Sequence, residues 1–153
     1  MRSLFIVAVM MACLSACAGT DVGSAVAETS FVYQHSRAFL DHEIRTQLAR
    51  EWSKPTTEVE TGAWLTDWKE QLAVMSQFGR RHRLRVRVEA ADGGFKVNCE
   101  QESQRNMEQE DPLSASKAEW DAAQTDGALA KKFLFDLHRR LNPKQAWREA
   151  SIR

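Results

Sequence analysis

The residues best equipped for chemistry in this sequence are four histidines, three cysteines, an alternating run of arginines and five tryptophans. A metal centre needs three or four converging ligands. His35 and His42, seven apart, share one face of a helix, His82 and His138 stand elsewhere, and no His-Cys-Asp cluster has ligand spacing. They read as helical surface histidines, and no metal is expected. Cys99 falls at an inward position between Val97 and Gln101, which predicts a buried, inert thiol rather than a nucleophile. Asp41 and Glu43 do not face each other on a helix, and Glu108, Glu110 and Asp111 read as solvated loop charge. The sequence has no glycine-rich phosphate cradle and no Gly-x-Ser-x-Gly. No residue set specifies an active site, so a chain without enzymatic activity or cofactor is expected.

Arg83, Arg85 and Arg87 invite a reading as a site for anionic lipid or nucleic acid. Lys+Arg and Asp+Glu balance at 21 each, however, so there is no basic excess to condense on nucleic acid, and Glu100, Glu102 and Asn98 are expected opposite these arginines. Arg80-Arg81-His82-Arg83 remains as a zone able to touch lipid headgroups or an acidic partner. Trp64 and Trp68, four apart on a predicted strand, share a face; core packing is their default role. They and Trp147, in the tail beyond the last helix, are also candidates for partner contact, because tryptophan is enriched in binding hot spots.

The first residues are an address. Met1-Arg2-Ser3 carries one positive charge and leads into the apolar run 4–12, which is shorter than the ~20 residues a membrane-crossing helix needs. Leu14-Ser15-Ala16-Cys17 follows and resembles the lipobox of bacterial lipoproteins. That resemblance implies cleavage between Ala16 and Cys17 and acyl chains on Cys17, which becomes the mature N-terminus; a plain signal peptide cut after Ala16 or Ala18 is the alternative. Stable anchoring takes two or more chains, so a triacylated Cys17 would hold the protein on the membrane. Residue 18 is Ala rather than the Asp associated with inner-membrane retention, which favours the periplasmic face of the outer membrane over the inner membrane. Residues 1–16 are thus a signal peptide, 17–29 a lipidated flexible tether, 30–142 one domain and 143–153 a basic tail.

The length of 153 residues, with 43% apolar and 27% charged, suits one globular domain. Leu40, Ile44, Leu48 and Trp52 recur at four-residue spacing and predict an amphipathic helix over 31–52, ended by Lys54-Pro55. Residues 57–68 predict a strand bent at Gly62, and 69–81 are ambiguous. Leu84, Val86, Val88 and Ala90 alternate with charged residues up to Asp92-Gly93, and Phe95, Val97 and Cys99 alternate beyond it. This predicts a hairpin pairing Arg83 with Glu102, Arg85 with Glu100, Val86 with Cys99 and Val88 with Val97. Ser116-x-x-Glu119 has capping-box spacing and predicts a short helix carrying Trp120. A last helix begins near Asp126, with Leu129, Phe133, Leu137 and Leu141 as its stripe, and stops at Asn142-Pro143. The expected fold is α+β: a three-stranded antiparallel sheet packed against two long helices, in the order αβββα.

The run from Gly62 through Trp64 and Thr66-Asp67-Trp68, a polar loop, and the Arg-led strand 83–88 with its return strand resemble the BamC-type accessory lipoproteins of the outer-membrane β-barrel assembly machinery. The similarity spans roughly residues 31–141. It implies a helix-grip domain, non-catalytic, tethered in the periplasm and contacting other envelope proteins. The function expected is therefore an interaction or scaffolding lipoprotein of the outer envelope, in outer-membrane protein assembly. The alternative is a carrier holding lipid or lipopolysaccharide between helix and sheet, and the distinction rests on whether large residues such as Phe39, Trp64, Phe95, Phe133 and Phe135 fill that space.

Overall fold

The computed structural model describes residues 23–29, 31–52, 54–72 and 79–142. In chain order the elements are β1 (Ser24–Glu28), α1 (Arg37–Glu51), β2 (Thr56–Thr57), β3 (Trp64–Leu65), β4 (Lys69–Gln71), β5 (Arg80–Ala91), β6 (Gly94–Asn106), β7 (Trp120–Ala122) and α2 (Ala128–Leu141). All strands join one antiparallel sheet of seven, ordered β1-β6-β5-β3-β2, with β4 also on β5 and β7 also on β6. The three-stranded αβββα arrangement is therefore incorrect: both helices exist, but the chain is mostly strand, and four strands lie outside that scheme.

The centre of the sheet is the β5–β6 hairpin. Its register pairs Arg83 with Glu102, Arg85 with Glu100, Val86 with Cys99 and Val88 with Val97. The other strands arise where short segments meet a long edge. β6 has thirteen residues, and its outer edge is covered by β1 and β7 laid end to end: Gly23 O accepts Ser103 N at 2.8 Å, and Ser103 O accepts Ala123 N at 3.0 Å. The small-residue run expected to be flexible tether up to residue 29 is thus sheet from Ser24 onward, with Ala27 fully buried. Trp120 lies on β7 rather than on a short helix. Asn106, fully buried, accepts the amides of Glu108 and Glu119 through Oδ1 and closes the loop that returns the chain to β6.

Residues 57–68 do not form one bent strand either. The chain reverses at Gly62, whose φ of +64° suits glycine, and the turn is closed by Gly62 N to Glu58 O and by the Thr61 hydroxyl on Glu58. What remains is two two-residue strands. Helix α1 starts six residues later than expected, capped by Ser36. The preceding aromatic segment is drawn instead to the hairpin, where Tyr33 and Phe95 exchange both backbone hydrogen bonds at 2.8 and 3.0 Å.

Both helices pack on the same face of the sheet. Leu40, Ile44 and Leu48 of α1 and Leu134 and Leu137 of α2 are fully buried against Val86, Val97 and Cys99. Polar groups in this layer have partners. Gln47 Nε2 donates to Phe133 O at 2.8 Å. Gln101 Oε1 accepts Leu129 N at 2.9 Å, supplying from the sheet the acceptor that Gly127, the N-cap of α2, lacks. Burial pushes the Cys99 thiol well above its ordinary range, and the Tyr33 hydroxyl up to about 12.

His138 is not a surface histidine: it is fully buried, beside the Phe31 ring and 3.4 Å from the Tyr33 hydroxyl through Nδ1. Desolvation holds its pKa below the usual value, and burial and the neighbouring Arg80 do the same for His82. The unfolded chain therefore takes up protons near pH 6.5, where the folded chain does not. Stability is expected to be full above that point and to fall as pH drops through it. Urea unfolding between about pH 7.5 and about pH 5.5 checks this, and a flat midpoint over that span counts against it.

Candidate interaction face

Strand alternation sends Leu84, Val86 and Val88 under the helices and Arg81, Arg83, Arg85 and Arg87 to the other side, which no helix of the described residues covers. This helix-free face gathers the charge of β5 and β6. Arg83 Nη2 lies 2.6 Å from Glu102 Oε2. Arg85 is shared among Glu100 and Glu102, both at 3.3 Å, and Glu58 at 3.5 Å. The Thr61 hydroxyl and these arginines hold the Glu58 carboxyl below its ordinary pKa.

Toward the Arg80 end of β5 the face becomes aromatic. The Arg81 guanidinium lies between two indoles, 4.6 Å from the Trp68 ring centre and 4.5 Å from that of Trp120, while Arg83 stacks on Trp68 at 4.6 Å. Arg81 Nε also donates to Gln104 Oε1 at 2.7 Å, and its Nη1 lies 3.6 Å from Glu70. Desolvation lowers its pKa despite Glu70. Beside this stack is an open depression of about 230 Å³, lined by Gly23, Ser24, Trp68, Glu100, Glu102 and Gln104.

Of the residues singled out from sequence, Trp68 and Arg81 meet here. Trp64 does not join them: it faces the helices, where its Nε1 donates to Asp41 at 3.1 Å. Thr66 separates the two tryptophans, because its amide and hydroxyl both bond the Leu84 backbone and break the alternation. Arg80 alternates with Arg81, so it points away from this face, and is exposed. Ala16, Cys17 and Trp147 lie outside the described residues. Trp120, Glu58, Glu70 and Gln104 were not anticipated as part of the site. The available signal was the alternation over 119–122, too short to outweigh the capping-box spacing.

No protein-family model, curated protein or solved structure matches this chain. What the face can do follows from its groups alone. Among the described residues no three His, Cys, Asp or Glu are gathered to hold a metal. The face offers half-buried indoles and paired charges.

Proposed function

We propose that this chain is a lipid-anchored interaction module on the periplasmic face of the bacterial outer membrane, without catalytic activity, that presents its helix-free sheet face to another envelope protein. The observation that carries this reading is the sheet face that no helix of the described residues covers, where Arg87 is exposed beside the network of Arg85 with Glu58, Glu100 and Glu102. Arginine is among the residues most enriched where interfaces concentrate their binding energy. The location rests on Leu14-Ser15-Ala16-Cys17 and its likeness to a lipobox. The short similarity to BamC-type lipoproteins makes components of barrel assembly the first partners to test. A carrier would need an apolar hollow between helices and sheet. Phe133 is buried there, Phe39 is 42% exposed, and Trp64, Phe95 and Phe135 are half-buried, while leucines 40, 48, 84, 134 and 137 occupy the layer fully buried. That filling favours the interaction module.

The test is photo-crosslinking in intact cells from a reactive residue at Arg87, exposed on the open face, and from one at Arg45, exposed on α1. A defined envelope protein captured at position 87 and absent at 45 is expected; equal capture from both positions overturns the reading. Cys17→Ser should leave an unprocessed precursor, and normal amounts of mature soluble protein would remove the anchor.

A further inference from the structure

Gly23 and Ser24 form one wall of the depression beside Trp68, so the chain enters the fold next to the indole–guanidinium stack. Only six residue steps separate Gly23 from Cys17. At about 3.3–3.6 Å per residue, and with the cysteine side chain added, that sulfur lies within about 25 Å of Gly23 whatever path the chain takes. Acyl chains on the sulfur begin at the bilayer surface, so this end of the sheet is kept within that reach of the headgroups, too close for another folded domain of this size to lie between. The same end carries the start of β5, the end of β6, β7 and the loop 107–119, where Leu113 is 64% exposed. The Asp92-Gly93 turn is at the opposite end of the twelve-residue β5, about 40 Å away at about 3.3 Å per residue.

We propose that the Trp68–Arg81–Trp120 end of the domain, with Leu113, rests on the phospholipid headgroup layer and stands the β5–β6 hairpin upright, its Asp92-Gly93 turn directed away from the membrane. This rests on the anchored reading above and adds an orientation to it. The chemistry of that end fits the partner. Indoles and guanidinium stems are amphipathic groups that settle at a membrane–water boundary. The mixture of Arg81 and Arg83 with Glu70 and Glu102 complements a zwitterionic headgroup, whose phosphate and ammonium each find an opposite charge. The upper part of the face, around Arg85 and Arg87, is left free for a protein.

The experiment uses the full lipidated chain in vesicles of phosphatidylethanolamine and phosphatidylglycerol. An environment-sensitive dye is placed on Leu113→Cys or on Asp92→Cys, both exposed positions, Cys99 being buried. The N-terminal peptide of each sample is weighed by mass spectrometry. The expected result is a blue shift and quenching by a bilayer-borne quencher at position 113 and neither at position 92. With Cys17 carrying its lipid, equal shifts at both positions, a shift at 92 alone, or a shift at neither overturns the orientation. An unmodified Cys17 overturns the anchored reading on which it rests, and that failure appears in the mass rather than in the dye.

Discussion

Arg85→Glu is expected to lower the free energy of unfolding by about 3 kcal/mol, the scale for removing one partner of a largely buried ionic network. The guanidinium is only 20% exposed and is the shared cation of Glu100, Glu102 and Glu58. Reversing it places a fourth carboxylate among three, on a surface where water is partly excluded. The Arg85→Glu/Glu100→Arg double variant restores one opposed pair across β5 and β6 but leaves the introduced carboxylate beside Glu58, so about half of the loss should return. Urea unfolding of the two single variants and the double variant measures the coupling. A double variant as unstable as the sum of the singles would show that the register confers no charge coupling.

Gly94→Ala is expected to cost a similar amount, about 3 kcal/mol, for a steric reason. A Cβ at this position would lie 2.3 Å from Tyr33 O and 3.0 Å from its carbonyl carbon. Both are backbone atoms held by the two-way bridge to Phe95, so no flexible side chain can move aside. Accommodation must part the segment before α1 from the hairpin, drawing Tyr33 out of the core beside His138. Gly93 is the internal reference: it has φ of +81° but open space around it, so Gly93→Ala should cost only the left-handed backbone penalty of about 1 kcal/mol. Thermal unfolding orders the pair, and a Gly94→Ala no worse than Gly93→Ala would mean that the close approach is absent.

The parts of this fold that were legible in the sequence are those in which many residues repeat one instruction. Twelve and thirteen residues of alternation about Asp92-Gly93 fix the hairpin register, since a slip of one residue would turn every charge inward. The stripes of Leu40, Ile44 and Leu48 and of Phe133 and Leu137 fix the two helices. Strands of two or three residues carry no period, and β1 is Ser-Ala-Val-Ala-Glu, a composition that becomes strand only because an open edge of β6 is there to receive it. Tertiary pairing likewise overrode local preference at Tyr33. For the face, residue type marked Trp68 and Arg81. The meeting of Trp120 with them depends on a loop closed by Asn106, one side chain fourteen positions earlier, which no spacing rule describes.

The pairing of β1 with β6 has a consequence for biogenesis. The first strand of the domain to be synthesised can find its ladder only after the second half of the hairpin has been made, and α2, which packs on both, comes later still. Closing such a long loop is slow, so completion of the sheet waits for nearly the whole polypeptide. A chain threaded across a membrane from its N-terminus must stay extended in transit. On the export route proposed above, the order of strands would supply that delay, so that the sheet is completed only after transit.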